Sequence, residues 1–148
     1  MARRSGIEGM AELERTFKRL GKVPQTVVTK SARAGGGVIL KATRSNAPVE
    51  EGNLKRGLVL KRERSRVKGK AVYQVTFDSA MNNVFVKVSK DGKRSYYPAS
   101  QEYGYLTVDG RYIPGYRYMR RSAEDNGSTA ERKMLEVAGK AVEKAMRG

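Results

Sequence analysis

The stretch Ser45–Leu60, Ser-Asn-Ala-Pro-Val-Glu-Glu-Gly-Asn-Leu-Lys-Arg-Gly-Leu-Val-Leu, limits the possible folds more than any other part of this chain. Upstream of it the apolar residues recur at helical spacing, and downstream they alternate. Pro48 ends a helix, because proline disfavours the α region for the residue before it, here Ala47. Gly52 can take a positive φ, so Glu50-Glu51-Gly52-Asn53 reads as a turn. Leu54, Leu58 and Leu60 then begin a strand. One short segment switches the chain from helix to sheet.

Residues 1–47 read as two helices. Ser5-Gly-Ile-Glu8 is a capping box, in which the Ser hydroxyl accepts from the Glu8 amide while the Glu8 side chain reaches back. Met10, Leu13, Phe17 and Leu20 follow on one stripe, and Gly21 is a natural stop. Pro24 opens a second helix that runs to Asn46, with Val28, Ala32, Gly35, Ile39 and Ala42 on one small-residue face. Gly35-Gly36-Gly37 costs a helix interior roughly 3 kcal/mol relative to alanine. No Gly-Lys-Ser/Thr follows the run and no strand precedes it, so a phosphate-cradling loop is not expected. Close packing or a hinge accounts for it better.

Residues 54–97 read as an antiparallel meander. Leu58–Arg64, Ala71–Phe77 and Val84–Ser89 alternate as strands, and a fourth runs through Tyr96. Lys90-Asp91-Gly92-Lys93 suits a type I′ hairpin turn. Residues 61–70 form a hairpin tip of high basic density, marked by Gly69. Residues 98–127 read as an aromatic joining loop, in which Tyr105, Tyr112, Tyr116 and Tyr118 interleave with Arg111, Arg117, Arg120 and Arg121. Such a mixture can stack on bases or anchor a protein interface, and the interface fits better because no known single-strand module is present. Residues 128–147 read as a closing helix, introduced by a second capping box at Ser128-Thr-Ala-Glu131 just after Gly127. The expectation is one α+β domain over 1–148. It has a small, mainly antiparallel sheet of about four strands, with a long N-terminal helix and a C-terminal helix packed on it.

Charge and missing residue types narrow the function. Lys and Arg number 31 against 15 acids, a formal net charge of +16, and a field of that size favours phosphate, acidic protein surfaces or anionic membrane. There is no histidine and no cysteine. That removes the commonest general base, the commonest zinc ligand and every thiol chemistry. Asp78, Glu102 and Asp109 with nearby lysines match no metal-nuclease spacing. The reading is therefore a non-enzyme with no cofactor and no metal. The amino terminus lacks an apolar signal segment, so secretion by that route is not expected. No apolar run approaches the ~20 residues of a membrane span. Arg62, Arg64, Arg66, Lys68 and Lys70 are the candidate contacts to DNA or to an acidic partner. The plainer reading of that arm is a solvated hairpin.

Three blocks carry a family resemblance. Ala47-Pro48-Val49-Glu50-Glu51-Gly52-Asn53-Leu54-Lys55 resembles the A-P-V-x-x-G-x-L-(K/R) signature of a phage head–tail joining family. That family is named after gene product ten of phage Hong Kong ninety-seven. Tyr97-Pro-Ala-Ser-Gln-Glu-Tyr-Gly104 resembles its Y-A-x-x-x-E-(F/Y)-G segment. Tyr118-Met-Arg-Arg-Ser-Ala-Glu124 resembles its (F/Y)-(L/M)-R-P-A-x-E segment. The chain departs from the pattern at Tyr105, where the family has a small Thr or Ser, and at Arg121-Ser122, where it has Pro-Ala. The resemblance implies a structural virion protein of a long-tailed double-stranded-DNA phage. Such a protein acts at the neck or the head-proximal end of the tail, as a head–tail connector or tail-completion component, and resides in the host cytoplasm during assembly. It implies a homo-oligomeric ring, six-fold ahead of twelve-fold. Its partners would be neighbouring head-completion, connector and tail proteins and the genomic DNA in the channel, with no membrane. By the same resemblance, Glu102, Tyr103, Tyr118 and Arg120 are the candidate interface residues. The alternative is a free-standing basic protein that binds nucleic acid non-specifically.

Overall fold

The computed structural model describes residues 25–147. The expected first helix, with its Ser5–Glu8 box and its Met10–Leu20 stripe, lies outside these residues, as does Pro24. Two long helices form the frame: α1 (Gln25–Asn46) and the 30-residue closing helix Tyr118–Arg147. They pack against each other along their lengths. Gly35 faces Met134 and Ala130, Val27 clusters with Ala138 and Val142, and Asn46 Nδ2 donates to Ser122 Oγ at 2.9 Å. Low numbers meet high ones, so the pair is antiparallel.

The three consecutive glycines do not interrupt α1, and two of them make room for neighbours. A Cβ at Gly35 would sit 2.5 Å from Met134 Cγ, and one at Gly36 would sit 2.7 Å from Leu60 Cδ1. A Cβ at Gly37 would meet nothing. The propensity cost of the first two is offset by close helix–helix and helix–hairpin contact.

The α+β class is as expected, but the sheet is not a single meander of about four strands. Among the described residues, six strands form three separate antiparallel pairs. After Pro48 the chain turns at Gly52 (φ 72°) into a short helix, α2 (Asn53–Gly57), so Leu54 is helical and the first strand begins only at Leu58. Strands β1 (Leu58–Arg62) and β2 (Tyr73–Phe77) pair from Leu58↔Phe77 to Arg62↔Tyr73. The meander then stops, because Asp78 caps a 3-10 turn (Ser79–Met81) by accepting from Ala80 N at 3.0 Å. Helix α3 (Asn82–Phe85) follows directly and carries Phe85 into the core. A helical turn between two strands removes them from one ladder. Strands β3 (Val86–Val88) and β4 (Arg94–Tyr96) consequently pair only with each other.

Nor does residues 98–127 form an irregular loop. Helix α4 (Tyr97–Tyr103) leads into a third hairpin, β5 (Gly104–Leu106) with β6 (Tyr112–Pro114). The closing helix, α5, then starts at Tyr118 rather than at Ser128. Gly127 sits inside it with open space at its Cβ position, so the Ser128–Glu131 pattern lies within a helix and caps nothing.

The main core gathers the helix-to-sheet switch and both ends of the later segment. Ala47, Leu54, Leu58, Phe85 and Tyr118 are buried together, with Phe77 and Tyr97 packed against them. Phe77, Phe85 and Tyr96 form a set of edge-to-face rings with centroids 5.4 to 6.4 Å apart, a geometry aromatic quadrupoles favour. Gly57 lies directly against the Phe85 ring and has no room for a side chain.

Candidate functional site

Glu102 organises the junction between α4 and α5. Only 5% of its surface is exposed, and its carboxylate accepts from Met119 N at 2.8 Å and Arg120 N at 3.1 Å. The first amides of a helix lack intrahelical acceptors and sit at its positive pole, so a carboxylate there is doubly favoured. Arg117 begins the helix, its carbonyl accepting from Arg121 N at 2.9 Å, and takes a left-handed φ of 54°. Backbone bonds hold it there: Arg117 N donates to Glu102 O at 3.1 Å and Tyr116 N to Gln101 O at 2.7 Å. The Arg117 guanidinium also lies 5.3 Å from the Tyr103 ring centroid.

Tyr118 is almost wholly enclosed and donates its hydroxyl to Pro98 O at 3.2 Å. Burial, and then the nearby Glu102 carboxylate, push its phenol well above the ordinary tyrosine range. At the foot of the third hairpin Gly104 (φ 88°) and Gly115 cross so closely that a Cβ on either would strike the other strand's backbone.

Two of the four expected interface residues are engaged within the protomer. Glu102 and Tyr118 are consumed inside the protomer, one as a helix cap and the other as core, because each satisfies a polar group that would otherwise be buried unpaired. Tyr103 and Arg120 remain on the surface. Arg120 pairs with Glu124 at 2.9 Å across one helical turn, with both side chains well exposed.

The basic arm is a distinct surface. Every residue from Lys61 to Lys70 is exposed. The ladder extends one step past β1, with Glu63 N donating to Val72 O at 2.9 Å, and the loop then bends at Gly69 (φ 78°). Gln25, at the start of α1, holds the tip with both ends of its amide. Its Oε1 accepts from Gly69 N at 2.7 Å and its Nε2 donates to Lys70 O at 3.1 Å. Among the described residues, Arg62, Arg64, Arg66, Lys68 and Lys70 form no ion pair. The structure therefore carries these five cations on one exposed, tethered arm.

The third hairpin lies where the sequence predicts an aromatic joining loop. Tyr105, Leu106, Val108, Tyr112 and Ile113 are all exposed, Val108 completely. Its loop, Thr107-Val-Asp-Gly-Arg111, is built as Ser89-Lys-Asp-Gly-Lys93 is. In both, the Ser or Thr carbonyl accepts from the Gly amide, at 2.9 and 3.0 Å, and its hydroxyl accepts from the Lys or Arg amide at 3.1 Å. Only the Gly of each pair has positive φ, which makes them three-residue loops rather than the type I′ turn expected at Asp91-Gly92. The recurring Ser/Thr-x-Asp-Gly-Lys/Arg was the signal for this hairpin.

No cluster of three or more acidic residues that could hold a metal occurs among the described residues, and no helix there is long and apolar enough to cross a membrane. No protein-family model, curated protein or solved structure matches the chain.

Proposed function

We propose that this chain is a structural virion protein of a long-tailed double-stranded-DNA phage. In this reading it serves at the neck as a head–tail connector or tail-completion component, in a ring around the DNA path. The observation that carries the proposal is the convergence of the three resembling blocks. Ala47 and Leu54 from the first and Tyr118 from the third share one buried core, and Tyr97 from the second packs on it. The second and third are bonded through Glu102, and the first reaches the second through Tyr97 Oη donating to Glu50 Oε2 at 3.2 Å. Motifs separated along the chain thus behave as one constructional unit, as a shared fold requires.

The tethered basic arm supplies the DNA-facing element of this reading. A channel must let DNA slide, so its contacts are weak, non-specific and strongly salt-dependent. Replacing Arg64, Arg66 and Lys68 with Glu should leave the fold intact and impair DNA retention or ejection. Heads that stay full but fail to join tails would instead identify the arm as a docking site for an acidic neighbour. Labelling of intact particles tests the location. Scattered single copies away from the neck would sink the proposal, and tight DNA binding by the free chain without particle association would favour the free-standing basic protein.

A further inference from the structure

The hairpin β5–β6 is exposed on both faces, and a lone two-stranded hairpin is marginal in water without something packed on it. The other two hairpin tips are more polar: residues 61–70 are mostly basic with one exposed apolar side chain, Val67, and Lys90-Asp-Gly-Lys93 carries none. The third places Val108 at its apex, with Asp109 and Arg111 beside it.

A matching recess lies at the opposite end of helix α4. It has a volume of about 130 Å³ and is lined by Pro48, Leu54, Val84 and Tyr97 together with the charged Glu50, Glu51 and Lys87. A cavity of about 150 Å³ can take benzene, so this one has room for a single apolar side chain. Glu50 and Glu51 are exposed and, among the described residues, neither is paired with a cation, although the chain holds 31 Lys and Arg. Arg111, Asp109 and Lys87 are likewise unpaired there.

We infer that the β5–β6 hairpin of one copy seats Val108 in the Pro48–Val84–Tyr97 recess of a second copy. Arg111 then faces Glu50 and Glu51, and Asp109 faces Lys87. The inference rests on the ring reading and specifies its contact surfaces. Two features select a second copy of this chain as the occupant. Both signs of charge are matched between tip and recess, and the segment from Gly104 to Pro114 has one acid and one base, so it brings no net charge to a molecule of +16. The recess adjoins Tyr97 at the start of α4 and the hairpin leaves at Gly104 from its end, about 10 Å away at 1.5 Å per residue. Unlike surfaces at two ends of one element make a head-to-tail contact, which closes into a ring when the rotation permits.

The absence of cysteine permits a direct test with the full chain. Val108→Cys protein mixed with Val84→Cys protein should form a disulfide-linked heterodimer on mild oxidation, in excess over either homodimer. The double variant should give a ladder of covalent multimers. Arg111→Glu in the Val108→Cys partner should lower heterodimer yield about five-fold, as for an exposed ion pair near the top of its usual range. Glu50→Arg with Glu51→Arg in the other partner should restore it. Multimers seen by sedimentation without this cross-link would overturn the inference and leave the ring reading standing. Homodimers only, or a yield indifferent to the charge swap, would overturn it as well. A chain that neither cross-links nor multimerises at high concentration, while labelling still places it at the neck, would also count against this contact and spare the neck reading.

Discussion

The Glu102 carboxylate and the Met119 amide, 2.8 Å apart and 17 residues apart in sequence, join the end of one helix to the start of another. The same carboxylate takes the Arg120 amide. A local N-cap satisfies its own helix; here the cap comes from a different element, so forming α5 depends on α4 being in place.

Glu102→Ala should cost about 2–3 kcal/mol of stability in urea unfolding, since it strands two helix-terminal amides and empties a buried position. Glu102→Gln, which retains one acceptor oxygen, should cost about half as much. Hydrogen exchange at Met119 and Arg120 reports the same contact, and unchanged protection in Glu102→Ala would show that the cap comes from elsewhere.

The glycine run separates packing from propensity. Gly35→Ala and Gly36→Ala should destabilise the protein by about 1–3 kcal/mol, because each new Cβ meets a packed side chain. Gly37→Ala should stabilise it by about 0.5–1 kcal/mol, as a solvent-side glycine in a helix loses its entropy penalty. Gly127→Ala belongs with Gly37. Equal effects at positions 35 and 37 would contradict the helix pairing.

Tyr118 sets an alkaline limit. Its phenol is held neutral by burial and by Glu102. Above the unfolded value near 10 the unfolded chain releases that proton while the folded chain keeps it. Stability from this group is therefore complete below pH ~10 and is lost as pH rises toward the folded value, by at most about 1.4 kcal/mol per pH unit. Tyr118→Phe should remove this share of the alkaline slope, at a cost of about 1 kcal/mol near neutrality for the bond to Pro98. An unchanged slope would mean that other groups carry it.

Gln25 can be tested through the arm it holds. Gln25→Ala should leave global stability within about 0.5 kcal/mol, since both bonds are exposed, yet raise exchange at Gly69. If DNA binding uses the arm in its tethered form, affinity should fall with no change in salt slope, because the number of phosphate contacts is unaltered.

What could be read from the sequence was local. Pro48 and Gly52 mark the end of α1, and the Tyr73-Val75-Phe77 alternation marks β2, because each acts on its own neighbours. Pairing is not local. Nothing in Asp78-Ser79-Ala80-Met81 considered alone announces that a capped turn will separate β2 from β3, and the alternation on either side suggested one ladder. The start of α5 is hidden for a related reason. The Ser128–Glu131 box is a complete local signature, whereas the true cap acts across 17 residues and leaves no mark beside Tyr118. The third hairpin is legible through its likeness to Ser89–Lys93, although the tyrosines and arginines of the same stretch also suit a joining loop.

The crossing of Gly104 and Gly115 has a consequence for how such a protein can change over time. The two strands of the third hairpin leave and return at one pinched point, and the chain on either side is already fastened by the Gln101–Tyr116 and Glu102–Arg117 bonds. Whatever lies between the two glycines can be lengthened, shortened or exchanged without rerouting the rest of the chain. The fold thus keeps an exposed apolar segment as a replaceable part, while the framework that presents it stays the same.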